Sequence, residues 1–178
     1  MDMANEEGAA GDSAALYLQE LAYFLSVHLD RGPGMLWPGS EHPAFSARDR
    51  IAAFGLLAAH ITRLTGLWAR TALHESCADA TSGTTFGHVL IHQLAGAGNW
   101  QVSAPGGPDP RSFRCRLLPS EVLYIPPGWT RQAELADTSR FALTYLAPTP
   151  ASGRAARALP TPGLDTYARR GPGPGGGW

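Results

Sequence analysis

The period of the hydrophobic pattern changes at Leu67, and this change constrains the fold more than any other feature of the chain. Upstream, apolar residues recur at helical spacing. Downstream they alternate with period two in seven short segments, at about 67–74, 85–94, 99–104, 113–118, 121–125, 130–135 and 139–146. The breaks between them are turn chemistry: Ser82-Gly83, Ala95-Gly96-Ala97-Gly98, Pro105 to Pro110, Pro119-Ser120, Pro126-Pro127-Gly128 and Asp137-Thr138. Many short strands separated by turns predict an antiparallel sandwich or barrel.

Two helices precede the strands. Ser13 is a candidate cap for a helix to about Asp30, with Tyr17, Leu18, Leu21, Phe24, Leu25 and Leu29 on one face and Gly32-Pro33-Gly34 as its stop. Ser46-Ala47-Arg48-Asp49 resembles a capping box for a second helix to about Thr65, with Ile51, Phe54, Leu57, Ile61 and Leu64 on one side and Gly66 at its end. These helices are expected to cover one face or end of the β-structure. The resulting division is a disordered N-terminus at 1–12, a helical region at 13–66, a barrel at 67–148 and a disordered Pro/Gly/Arg tail at 149–178. The tail cannot bury enough apolar surface to offset its ordering entropy.

Charge and composition exclude several function classes. The formal net charge is −1, which gives no electrostatic footprint for nucleic acid or an anionic membrane. No apolar run approaches membrane-spanning length, and the acidic start is wrong for a signal peptide, so a cytoplasmic location is expected. Cys77 and Cys115 are isolated and read as structural thiols. All 14 basic side chains are arginine. A Schiff-base lysine, a phosphate-loop lysine and a lysine holding a cosubstrate carboxylate are therefore excluded.

The stretch Leu118-Pro119-Ser120-Glu121-Val122-Leu123-Tyr124-Ile125-Pro126-Pro127-Gly128-Trp129-Thr130-Arg131 is the most specific in the sequence. It resembles the second conserved motif of the cupin superfamily in the form used by JmjC-type oxygenases, with Ser120-Glu121 in place of Gly-Asp. Phe86 to Val102 resembles the same family's strand, turn and strand, with Gln93 ending one strand and Trp100 beginning the next. The resemblance covers about residues 66–147 and implies a fold that is mainly β with N-terminal helices, a cupin-like double-stranded β-helix or jelly-roll barrel.

The family binds iron through His-x-Asp and a later His, leaving positions open for 2-oxoglutarate and oxygen. On this alignment those positions hold Gly83, Thr85 and Arg131, and a lysine position common among relatives holds Gly98. Glycine offers no side chain, threonine is a weak neutral ligand, and arginine cannot deprotonate to become one. The resemblance thus implies a degenerate member without the iron triad and with no cofactor. His88 and His92 share one strand face and form the fallback metal pair. Strand parity turns them outward unless a bulge reverses it, and His74-Glu75 could add ligands.

The same parity puts Thr85, Gln93, Trp100 and Arg131 inside the barrel, with Tyr124 as a further candidate and Trp129 at the rim. Arg131 and Tyr124 are the candidate catalytic residues; Thr85, Gln93, Trp100 and Trp129 are the candidate ligand-binding residues. A buried arginine calls for an anionic partner. Glu121, Glu134 or a ligand's carboxylate or phosphate could supply it; the alternative is an arginine with its head in solvent. The expected partner is an anionic small molecule or peptide, and the family's relatives make a homodimer a further expectation. Three function classes remain: a metal-independent tailoring enzyme in bacterial natural-product biosynthesis, a non-catalytic binding partner of another biosynthetic enzyme, or a metal-dependent oxygenase with rearranged ligands.

Overall fold

The computed structural model describes residues 3–75, 81–106 and 111–148. The tail at 149–178 and Cys77 lie outside them. The chain runs α1 (Met3–His28), β1 (Gly34–Leu36), α2 (Arg50–Thr65), β2 (Leu67–Glu75), β3 (Gly83–Thr84), β4 (His88–Ala95), β5 (Gly98–Ser103), β6 (Ser112–Leu117), β7 (Val122–Ile125), β8 (Thr130–Leu135) and β9 (Arg140–Pro148).

Successive strands from β2 onward cross between two antiparallel sheets, except for the β5–β6 hairpin. One sheet has the order β1-β7-β4-β9-β2 and the other β3-β8-β5-β6. This interleaving is the strand order of a double-stranded β-helix, so the fold is a cupin-like jelly roll with two N-terminal helices.

Alternation along the strands separates two cores. Val89, Ile91, Leu123, Ile125, Phe141 and Leu143 of the five-stranded sheet meet Trp100, Val102 and Leu117 of the other sheet inside the barrel. The opposite face presents Leu90, Val122, Tyr124, Ala142 and Leu146 to Tyr17, Leu21, Phe24 and Leu25 of α1 and to Phe54, Leu57 and Ile61 of α2. β4 and β7, inside that sheet, are buried on both sides, so their sequences read as near-continuous apolar runs.

Several local expectations are corrected. The first helix begins at Met3, not after Ser13; the added turns, rich in Ala and Glu, are good helix formers with acids near the N-terminus. Ser13 Oγ instead donates to Glu41 O at 2.6 Å, tying α1 to the following loop. The cap of α2 is Asp49, not Ser46: its carboxylate accepts from Ala52 N–H at 3.1 Å. The strand expected at 85–94 begins only at His88, because Thr85 to Gly87 turn the chain from the sheet of β3 to that of β4. The three-residue β1 has too little sequence for a period to show.

Candidate functional site

The corner Pro126-Pro127-Gly128-Trp129 is fixed from across the barrel by Thr85. Thr85 Oγ1 donates to Pro126 O at 2.7 Å and to Trp129 O at 2.9 Å, and the backbones of 85, 128 and 129 exchange two further bonds. Gly128 has φ +80°, a conformation that favours glycine. Ser120, at the position where the family motif has glycine, has φ +72°. Thr85 is buried, but its hydroxyl serves the backbone and not a ligand. Trp129 is half-buried against the barrel core.

Gly83 and Arg131 are direct cross-strand partners in the β3–β8 pair. The alignment positions of two iron ligands therefore coincide in space, with Thr85 two residues on. None of the three fits a ferrous ion: one has no side chain, one has its hydroxyl committed, and one is a permanent cation. Among the described residues no group of three His, Cys, Asp or Glu side chains could hold a metal.

Inside the barrel, Phe141 organises a polar layer. Cross-strand pairing places His74 on one side of it and Gln93 on the other. The His74 ring stacks on Phe141 at 5.5 Å, and Trp100 meets Phe141 edge-on from the facing sheet, also at 5.5 Å. Gln93 is locked: its Nε2 donates to Ala95 O at 2.8 Å and to Ser139 Oγ at 2.7 Å, while its backbone bonds Glu121 and Ser120.

Three polar atoms of this layer are buried without a partner: Gln93 Oε1, Trp100 Nε1 and His74 Nε2. The first two lie beside Gly98, where a methyl group would be 2.7 Å from Leu135 Cδ2, 2.8 Å from Trp100 Nε1 and 3.5 Å from Gln93 Oε1. Buried polar groups are nearly always paired, so each of these atoms calls for a partner that the described side chains do not supply. Burial, and then the positive charge of Arg131, hold the His74 imidazole below its usual range. The layer thus combines an acceptor at Gln93, a donor at Trp100, an imidazole at His74 and a nearby guanidinium. In the sequence His74 stands out only as a metal ligand; its pairing with Phe141 places it in this layer instead.

Tyr124 does not join this layer, a correction to the expected interior. On β7 the inward positions are Leu123 and Ile125, so Tyr124 faces the helices. Its hydroxyl accepts from Asp30 N–H at 3.1 Å and shares a 2.9 Å hydrogen bond with His88 Nδ1. His88 Nε2 lies 3.6 Å from the Asp30 carboxylate.

His92 lies under α1, as its outward parity predicts. Its Nδ1 shares a 3.3 Å bond with Tyr17 Oη, and its Nε2 shares one of 3.1 Å with Thr144 Oγ1. Both nitrogens are engaged, so the fallback reading of His88 and His92 as a metal pair is replaced by two separate hydrogen-bond networks. Burial pushes the His92 pKa down to about 3, keeping the ring neutral.

No family model matches the sequence, and no curated protein matches it either. Solved structures do resemble the chain. The acireductone dioxygenase from Bacillus anthracis is 14% identical, with 72% of this chain and 83% of that one covered and a TM-score of 0.41. The ribosomal oxygenase YcfD of Escherichia coli, bound to cobalt and succinic acid, is 19% identical with a TM-score of 0.43. That likeness covers 53% of this chain and 28% of the oxygenase, so the chain spans under a third of its length. The fold assignment itself rests on the strand order.

Proposed function

We propose that this chain is a metal-independent jelly-roll protein that binds a small anionic molecule within its barrel. The observation that carries the proposal is the unpartnered pair Gln93 Oε1 and Trp100 Nε1 beside Gly98, in a layer completed by His74 near Arg131. A hydroxy acid or a similar small anion matches this set: its hydroxyl donates to Gln93, its oxygens accept from Trp100, and its charge faces Arg131. Phe141 occupies the centre of the layer, which limits the ligand to a small one.

The iron and 2-oxoglutarate chemistry of the resembling family has no place in this reading, because Gly83, Thr85 and Arg131 supply no donor set. Between a metal-independent tailoring enzyme and a binding partner of one, the layer favours binding. Among the described residues His74 is its one acid–base group, and none of them places a second one opposite to complete an acid–base pair.

The test is thermal melting in EDTA with a panel of small carboxylates and phosphates, including glycolate, lactate, malate and phosphoglycerate. At least one should raise the midpoint. Arg131→Ala should then weaken its binding by about 1.5–3 kcal/mol, the range for a hydrogen bond to a charged group. If no member of the panel raises the midpoint, the unpartnered atoms are satisfied by ordered water and the proposal fails.

A further inference from the structure

The barrel-side face of the five-stranded sheet is not covered to its end. His74 stacks on Phe141 inside the barrel, so alternation along β2 turns Ala72, Arg70 and Trp68 to the same face. Their cross-strand partners on β9 are Leu143, Tyr145 and Ala147. Burial falls away along this face. Phe141 and Leu143 are fully buried, whereas Tyr145 is 38% and Trp68 46% exposed, and Arg70 is exposed with them. Phe86, on the turn that enters β4 beside the end of β9, is 99% exposed. The cause is a mismatch in length. The facing sheet ends, past β8, in the two-residue β3, while β2 and β9 run for nine residues each.

Exposed apolar side chains gathered in one patch, unlike scattered ones, mark an interaction surface. Here the patch is aromatic and has a cation at its centre, Arg70 between Trp68 and Tyr145. Arg70 makes no ion pair among the described residues.

The chain itself leaves the sheet at this patch. Pro148, the last residue of β9, pairs with Leu67, next to Trp68. Residues 149–178 follow, with a single acid, Asp165, against Arg154, Arg157, Arg169 and Arg170. That acid stands in Leu164-Asp165-Thr166-Tyr167, between two of the segment's few large apolar residues. The order is complementary to that of the patch.

We infer that residues 164–167 dock on this patch, as an intramolecular strap over the uncovered end of the barrel face. Leu164 and Tyr167 cover Trp68 and Tyr145, and the Asp165 carboxylate meets the Arg70 guanidinium. Alone, the segment has too little apolar surface to order, and the aromatic patch supplies the rest. The reach suffices. Arg70 lies three residues along β2 from Leu67, which puts it about 11 Å from Pro148. A coil of the 16 residues from Pro148 to Leu164 spans about 22 Å root-mean-square. Such a tether gives an effective concentration on the order of millimolar, which favours the chain's own segment over a separate partner. A second copy is disfavoured further, because a two-fold contact through the same patch brings two Arg70 side chains together.

The test uses the full chain and reads Trp68 alone, as the difference between each protein and its Trp68→Phe counterpart. Acrylamide should quench that emission weakly in the parent chain and strongly in the double variant Leu164→Ser with Tyr167→Ser. Asp165→Asn should raise the undocked fraction about fivefold, the upper end for one exposed ion pair. Asp165→Arg combined with Arg70→Asp should recover the protection that either change alone removes. Protection should not vary with protein concentration. Equal quenching of the parent chain and the Leu164→Ser/Tyr167→Ser variant, or no recovery in the charge swap, would overturn the inference. So would protection that fades on dilution, since that marks a second copy. None of these readings needs a ligand in the barrel, so their outcome is separate from that of the anion.

Discussion

At the residue scale, the histidines divide by what surrounds them. His92 and His42 are buried and neutral in the fold, with pKa values pushed down to about 3 and about 4 by loss of solvent. In the unfolded chain each titrates near the ordinary value of about 6.5. Below that pH the unfolded state binds more protons than the native state. The stability tied to these groups is therefore complete above about pH 6.5 and is lost as the pH falls toward their folded values, each contributing a slope of up to about 1.4 kcal/mol per pH unit. The urea midpoint should decline between about pH 6.5 and 4, and His92→Gln should make that decline shallower. An unchanged slope in the variant would show that His92 is not the group responsible. The outward direction of His92 was legible in strand parity; Tyr17 and Thr144 as its partners were not, because they come from α1 and from a strand 52 residues away.

The same contrast separates the interior candidates. Gln93, Trp100 and Arg131 follow from the alternation of their strands. Tyr124 misleads because β7 is only four residues long and buried throughout, so no polar side of the strand shows which parity faces the helices. Parity also places Thr85 inside. Strand parity carries no sign that its hydroxyl is spent on the carbonyls of a loop 41 and 44 residues distant.

At the element scale, turn glycines carry what the strands cannot. Gly66 and Gly96 have nearly the same left-handed backbone, with φ +70° and +65°. They differ in their surroundings. A methyl group at Gly66 meets nothing within 4 Å, whereas at Gly96 it lies 2.9 Å from Ser139 Cα and 3.0 Å from Ser139 N. Gly66→Ala should cost about 1 kcal/mol through the backbone alone. Gly96→Ala should cost clearly more, since backbone cannot yield as a side chain can. Equal losses in chemical denaturation would mean that the β4–β5 turn moves away from Ser139. Both helices and the long strands were readable because period and turn residues agree there. The two-residue β3 is too short to show a period, although it places Gly83 beside Arg131.

At the scale of the whole molecule, the jelly roll was legible as a class from many short strands and one motif. Its surfaces were not. The uncovered end of β2 exists because the facing sheet stops short of it, a relation between elements that neither sequence segment carries alone. The polar layer around Phe141 likewise assembles from β2, β4, β5 and β9. No helix among the described residues is long and apolar enough to cross a membrane.

The reading of the barrel stands or falls on whether the chain holds iron. The decisive measurement is the iron content, by mass spectrometry, of untagged protein purified anaerobically from iron-replete cells. Far less than one iron per chain is the predicted result, because Gly83, Thr85 and Arg131 cannot form a ligand set. Stoichiometric iron, retained through purification and accompanied by 2-oxoglutarate turnover, would contradict it.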